Sequence, residues 1–209
     1  MKILLADDHQ VVREGLKQIL KKLGLADLVE EAKDGNEALK MIKSGAFDFV
    51  ILDISMPGLS GLDVLKALES DKIKEKVLIM SVHPQKQYAI RALKLGAGGY
   101  ISKDSTSEEL ELAIKKISSG KKYVSLDVIG ILVSDLNNPH EKNLHEHLSE
   151  REFEIMCLLA KGIRLKEIGE KLFICEKTVS TYRTRLLEKM EMKSNSELAL
   201  YAYKNGLIE

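Results

Sequence analysis

The feature that most constrains this chain is a fivefold alternation within its first 120 residues: short apolar runs separated by longer segments with apolar residues three and four apart. The runs Ile3–Ala6, Val29–Ala32, Phe49–Leu52, Val77–Val82 and Gly99–Ser102 have the length of strands. The segments Val12–Leu23, Asn36–Ile42, Leu62–Leu68, Tyr88–Leu95 and Leu110–Ile117 carry the helical period. Repeated strand–helix units predict a parallel sheet with helices on both faces and right-handed crossovers. The first, third and fourth runs are largely apolar, the pattern of strands covered on both sides.

The pattern changes after Gly120. Leu126–Leu136 predicts one more helix, and Asn137, Asn138, Pro139 and the polar stretch through His147 read as a linker. From Leu148 onward only helical periodicity is present, over Glu150–Ala160, Lys166–Leu172, Glu176–Met190 and Ser196–Asn205. The chain therefore divides into a domain at 1–120, a linker with a helix at 121–147 and a domain at 148–209. Its 209 residues suffice for two small cores. With 44% hydrophobic and 31% charged residues the composition is that of a soluble protein. No apolar run approaches the roughly 20 residues of a bilayer span. The opening MKILLADD turns acidic too soon for a signal peptide, so a cytoplasmic location is expected. Cys157 and Cys175 form no CxxC pair and read as reduced thiols.

In an open parallel sheet, ligands bind beyond the carboxyl ends of the strands. Asp7 and Asp8 follow the first run, Asp53 the third, Ser81 stands at the end of the fourth and Lys103 follows the fifth. A single Asp at such a place is usually a cap or turn residue. Five polar groups at the same end of successive strands are hard to assign to packing. Clustered carboxylates repel one another, and a divalent cation relieves that. An incomplete oxygen cage completed by water suits Mg2+. A carboxylate is also a nucleophile for phosphorus, giving an aspartyl phosphate. Mg2+ and an ammonium group neutralise the transferred oxygens, and Ser81 is placed to hydrogen-bond one of them. His9 and His83 flank the site, where tuning of phosphate lifetime and plain surface packing are equal readings.

The segments ILLADDH, VILDISMPGLSG, LIMSVH and GGYISKD resemble the signature regions of bacterial response-regulator receiver domains, and the likeness covers essentially all of 1–120. It implies that Asp53 is the phosphoacceptor, Asp8 a direct metal ligand, Asp7 a ligand through water and the Ser55 backbone carbonyl a further ligand. It implies that Lys103 pairs with the phosphoryl group. Ser81 and Tyr100 become a switch pair, the hydroxyl moving toward phosphate as the ring turns inward. Many receivers place a proline after the lysine; here Asp104 follows Lys103, so a different loop geometry is expected.

In the C-terminal part, Ser149 followed by Glu152 is a capping box at a helix start. Lys166–Leu172, a turn at Phe173–Cys175 and a helix from Glu176 have helix-turn-helix spacing, in which the second helix enters the major groove. Val179, Leu186, Leu187 and Met190 mark its buried face; Ser180, Thr181, Arg183, Thr184 and Arg185 fall largely elsewhere. Net charge is zero, but residues 177–193 set five cations against two carboxylates, a basic stripe. Charge alone is modest support for DNA, and a helical hairpin packed on the first domain is the competing reading. Residues 148–205 resemble the four-helix DNA-binding domain of the LuxR/NarL/FixJ class, in Leu148, Glu152, Ala160-Lys161-Gly162, Glu167-Ile168, Lys177-Thr178-Val179 and Lys189-Met190. That likeness implies base contacts from Ser180, Thr181 and Thr184 and phosphate contacts from Lys177, Thr178, Arg183 and Arg185. Tyr182 stands where a histidine is usual, and Cys175 where a serine commonly caps the helix; cysteine is a poor cap. His140, His145 and His147 invite a zinc reading, although linker histidines are normally solvated.

Together the resemblances imply an α/β plus all-α protein: a flavodoxin-like five-stranded parallel-sheet receiver followed by a four-helix helix-turn-helix domain. The implied function is a DNA-binding transcriptional response regulator of a two-component system, switched by Mg2+-dependent phosphorylation of Asp53 from a sensor histidine kinase. Implied partners are that kinase, double-stranded promoter DNA and a second copy, with RNA polymerase a further candidate and no membrane. Dimer contacts are expected through the last helix, with Leu198 and Leu200, or through the first and fifth helices. No catalytic turnover is expected beyond assistance to its own phosphorylation and dephosphorylation. The rivals are a regulator whose receiver is never phosphorylated, and an aspartyl-phosphate hydrolase. Ser55 argues against the latter, standing where such enzymes carry a second carboxylate. Flavin binding lacks a phosphate-cradling loop, and Asp7 and Asp8 would repel the phosphate.

Overall fold

The computed structural model describes residues 1–45, 47–73, 76–82, 85–125, 128–129 and 144–208. It divides into two compact units, Met1–Asp135 and Leu136–Glu209. In the first, strands β1 (Lys2–Ala6), β2 (Leu28–Ala32), β3 (Phe49–Asp53), β4 (Val77–Ser81) and β5 (Gly99–Ser102) alternate with helices α1 (Gln10–Lys22), α2 (Gly35–Ser44), α3 (Gly61–Ser70), α4 (Gln85–Lys94) and α5 (Ser107–Ser118). Every strand pairing is parallel, in the order β2-β1-β3-β4-β5. The chain reverses its direction across the sheet between β1 and β3, and the carboxyl ends of those two strands border the switch-point crevice.

All residues of β3 and β4 are buried, as their apolar sequences require. One sheet face presents Ile3, Leu5, Phe49, Ile51, Leu78 and Met80 to Leu16 and Leu20 of α1 and to Leu110, Ile114 and Ile117 of α5. The alternate residues Leu4, Val50, Leu52 and Ile79, also fully buried, belong to the opposite face. The edge strand β2 buries only Ala32 completely, which is why it tolerates Glu30 and Glu31.

Several boundaries differ from the sequence reading. Helix α1 begins at Gln10 and α4 at Gln85, each ahead of its first predicted residue. Val82, assigned to the fourth strand, lies past its end and is exposed, because pairing with β5 stops at Ser81↔Ser102. Of the predicted helix Leu126–Leu136 only Val128 and Ile129 are described, both helical; the rest of it, most of the linker, His83 and His140 lie outside the described residues.

The second unit begins with a short 3-10 turn, Leu144–His147, followed by α6 (Glu150–Ala160), α7 (Leu165–Lys171), α8 (Glu176–Lys189) and α9 (Asn195–Lys204). The capping box forms: Ser149 Oγ accepts from the Glu152 N–H while Glu152 accepts from the Ser149 N–H. The buried Glu152 carboxylate also takes a hydrogen bond from Lys189 Nζ at 2.6 Å, joining α6 to the end of α8. Burial alone would raise its pKa, but Lys189 and Ser149 hold it below the usual value. Helices α7 and α8 approach closely at Gly169, where an added Cβ would lie 2.6 Å from the Ile174 carbonyl oxygen. His145 is not a solvated linker residue. Its Nδ1 lies 2.9 Å from the Tyr201 hydroxyl and its ring packs on Phe153, because the 3-10 turn folds back over α6 and α9. Among the described residues, no helix is long and apolar enough to cross a membrane.

Candidate functional site

At the carboxyl end of the sheet, β1 delivers Asp7 and Asp8, and β3 ends on Asp53 itself. Asp7 and Asp53 are almost fully buried. Lys103 follows β5, and its backbone N–H donates to the Ser81 carbonyl at 2.9 Å. This turns the side chain back over the crevice, with Nζ 2.6 Å from Asp7 Oδ2 and 2.8 Å from Asp53 Oδ2. The Ser55 backbone N–H also donates to the Asp53 carboxylate. Helix α3 starts directly against the acceptor strand: a Cβ on Gly61 would stand 2.2 Å from the Asp53 carbonyl oxygen.

The Asp53 carboxyl is pushed up to about 6, burial and then Asp7 raising it against the pull of Lys103 and the Ser55 N–H. Burial acts against the Lys103 ammonium, but Asp53 and Asp7 outweigh it and the pKa ends above the usual value. Asp53 Oδ1 and Asp8 Oδ1 are shielded from solvent, and among the described residues neither accepts a hydrogen bond, although His9 Nδ1 stands 2.7 Å from the latter. An unsatisfied buried carboxylate oxygen is costly, so both oxygens favour a cation. Carboxylate oxygens of Asp7, Asp8 and Asp53 and a ring nitrogen of His9 lie within 4.8 Å of one another. This donor set fits a divalent metal ion.

Ser81 and Tyr100 are fully buried beside this cluster. Their hydroxyls share a hydrogen bond, and burial raises the Tyr100 pKa. The ring therefore already lies inward. The Lys103–Asp104 loop is closed by a hydrogen bond from the Asp104 N–H to Ser102 Oγ at 3.2 Å.

Sequence reasoning missed Arg13 and Glu31. Arg13 Nη1 donates to the Asp7 carbonyl at 2.7 Å while its Nε donates to Glu31 Oε2 at 3.0 Å. The Asp7 N–H meanwhile donates to the Ala32 carbonyl. The Asp7 peptide is thus held on both sides, which orients the acidic pair. Glutamates in an otherwise apolar strand were the available signal.

In the second unit, Val179, Leu186, Leu187 and Met190 form the buried face of α8, as its periodicity predicts. Lys177, Ser180, Thr181, Thr184 and Arg185 are exposed, and Thr178 and Arg183 are half-buried. Arg183 Nε donates to Asn195 Oδ1 at 2.7 Å, bracing α8 against the start of α9. The hydroxyls of Thr181 and Thr184 donate to the Lys177 and Ser180 carbonyls at 3.0 and 3.1 Å. Cys175 occupies the N-cap without a side-chain cap bond. Leu198 is fully buried in the core of this unit and is excluded as a dimer contact; Leu200 and Tyr203 are the exposed apolar groups of α9.

Residues 3–115 match the family model for response regulator receiver domains, and residues 146–202 that for bacterial regulatory proteins of the luxR family. The chain is 38% identical over 217 residues to the oxygen regulatory protein NreC of Staphylococcus epidermidis, with each chain covered in full. It is 33% identical over 206 residues to the response regulator UvrY of Escherichia coli K12, covering 98% of this chain and 94% of UvrY. RcsB of Salmonella enterica, solved with promoter DNA and phosphomimetic BeF3−, shares the fold at TM-score 0.60 and 23% identity, covering 96% of this chain and 97% of RcsB. With a receiver's strand-end carboxylates in the first unit and a helix-turn-helix in the second, the chain belongs to the two-component response regulators of the NarL/FixJ type, DNA-binding regulators of transcription.

Proposed function

We propose that Asp53 is the phosphoacceptor and that its phosphorylation controls DNA binding by α8. The observation that carries this reading is the buried Asp53 Oδ1, without a hydrogen-bond donor, in a carboxylate cluster bridged by Lys103. An Asp53 oxygen attacks the phosphorus of a phosphohistidine on a sensor histidine kinase; the O–P bond forms as the P–N bond breaks, and the imidazole leaves. Asp8, Asp53 and the Ser55 carbonyl, with Asp7 through water, would hold Mg2+, which would supply positive charge against the transferred oxygens. Lys103 leaves its bridge between Asp7 and Asp53 to pair with a phosphoryl oxygen. Ser81 donates to another, a charge-assisted bond worth about 1.5–3 kcal/mol, and exchanges its bond to the inward Tyr100 for it. The two arrangements of Ser81 and Tyr100 are the bistable element that phosphate biases.

The receiver spans 1–120, the linker 121–147 and the DNA-binding domain 148–209. On α8, Ser180, Thr181 and Thr184 face base edges, while Lys177, Thr178, Arg183 and Arg185 hold phosphates. With their protons given to helix carbonyls, Thr181 and Thr184 present acceptor lone pairs outward, a match for base amino groups. A symmetric dimer reads paired half-sites, through Leu200 and Tyr203 of α9 or through the exposed Val11 of α1 and Leu112 of α5. RNA polymerase is the downstream partner, the cytoplasm the setting, and no substrate is turned over beyond the aspartyl phosphate itself.

Incubation with acetyl phosphate and Mg2+, followed by intact mass spectrometry, tests the acceptor. The expected result is a phosphoryl adduct on the wild type that is absent from Asp53→Asn; no adduct on the wild type refutes the assignment. Footprinting on promoter DNA with and without acetyl phosphate tests the coupling, and identical footprints reject it.

A further inference from the structure

His9 belongs to the acidic cluster by geometry, yet the phosphoacceptor chemistry gives it no task. It stands at the N-cap of α1 but makes no side-chain cap bond. Its backbone N–H donates to Asp7 Oδ1 at 2.8 Å, which fixes where the ring begins. The side chain is 64% exposed, and its Nδ1 stands 2.7 Å from Asp8 Oδ1 and donates to Asp7 Oδ1 at 3.2 Å, so in the metal-free protein it carries a proton that a metal ion would replace. The shorter contact lacks hydrogen-bond geometry, and among the described residues Asp8 Oδ1 accepts no hydrogen bond. Adjacent ligands of an octahedral ion with bonds of about 2.1 Å are about 3.0 Å apart. The two His9–carboxylate separations bracket that spacing.

We propose that His9 Nδ1 is a metal ligand when a first-row transition cation such as Mn2+ occupies the receiver site, a nitrogen–oxygen mode open beside the all-oxygen one that holds Mg2+. The proposal rests on the reading of the cluster as a divalent-metal site. Imidazole suits the transition ions, whereas Mg2+ is served by carboxylates, carbonyls and water and gains little from a ring nitrogen. The buried Asp53 supplies a second, independent pointer to a cation, since its Oδ1 is enclosed without a partner. The exposed ring lets the nitrogen enter or leave the coordination sphere without disturbing the core. Metal identity at this site then depends on a residue outside the phosphoryl-transfer set.

The full-length chain loaded with Mn2+ is examined by electron spin-echo spectroscopy, which detects a directly bonded imidazole nitrogen. The expected result is nitrogen modulation in the wild type that disappears in His9→Gln. By calorimetry, Mn2+ affinity falls at least about tenfold in that variant, the scale on which metal sites respond to altered ligation, and Mg2+ affinity falls less. Asp8→Asn abolishes Mn2+ binding if the ion sits at this cluster. Bound Mn2+ without nitrogen modulation, or modulation that persists in both His9→Gln and His9→Asn, overturns the His9 assignment and leaves the carboxylate site intact. A wild type that binds neither Mn2+ nor Mg2+ overturns the metal-site reading itself, and the proposal with it.

Discussion

Removing the charge of Asp53 is expected to stabilise the metal-free protein. Asp53 is an acid whose pKa rises on folding from 3.8 to about 6, chiefly through burial and against the pull of Lys103. Between those values the folded chain holds more proton than the unfolded chain, so stability falls as the pH rises through that window. Above about pH 6 the whole penalty is present, and at about 1.4 kcal/mol per pH unit it is about 3 kcal/mol. The attraction of Lys103 is already contained in that net value. Asp53→Asn removes the charge at nearly constant volume, so the variant gains up to about 3 kcal/mol near neutral pH, and below about pH 4 the advantage disappears. Urea titrations in chelator, followed by peptide-resolved hydrogen exchange of β1 and β3, isolate the receiver unit. Mg2+ at a hundredfold excess over its Kd adds about 2.7 kcal/mol to the wild type and far less to the variant, closing the gap. A variant no more stable than the wild type in chelator, or one with an undiminished Mg2+ response, refutes the electrostatic reasoning.

Gly61→Ala drives a Cβ to 2.2 Å from the Asp53 carbonyl, so a loss of at least about 1–3 kcal/mol and slower labelling by acetyl phosphate are expected; unchanged urea midpoints and labelling rates contradict the close approach. Cys175→Ser supplies the cap bond that α8 lacks and is expected to stabilise the C-terminal unit by about 1 kcal/mol, read from hydrogen exchange in α8. Lys177→Ala should weaken binding to all DNA sequences alike and lower the salt slope by about 1; a sequence-dependent loss in parallel salt titrations instead assigns Lys177 to a base.

The strand–helix alternation, the capping box at Ser149 and the buried face of α8 were legible in the sequence because each is local: a period, a spacing or an i to i+3 pair. The carboxylates at the strand ends were legible as types and places, since parallel topology brings the ends of β1, β3 and β5 together. Their charges were not. The acidity of Asp53 depends on how deeply the neighbouring helices enclose it and on where Lys103 falls, which are matters of Å between residues far apart in sequence. Arg13 and Glu31 look like ordinary surface residues, and His9 reads equally as a tuning or a packing residue, until α1 and β2 are folded against the Asp7 loop. Leu198 and His145 show the same limit from the other side. Apolar or polar by type, they were assigned to an interface and to solvent, and only packing among α6, α8 and α9 decides which groups are enclosed. Residue type and spacing are one-dimensional properties, so sequence determined the elements and the chemistry on offer. Burial and electrostatic coupling fall off over a few Å in three dimensions, so tertiary structure alone decided which groups act together.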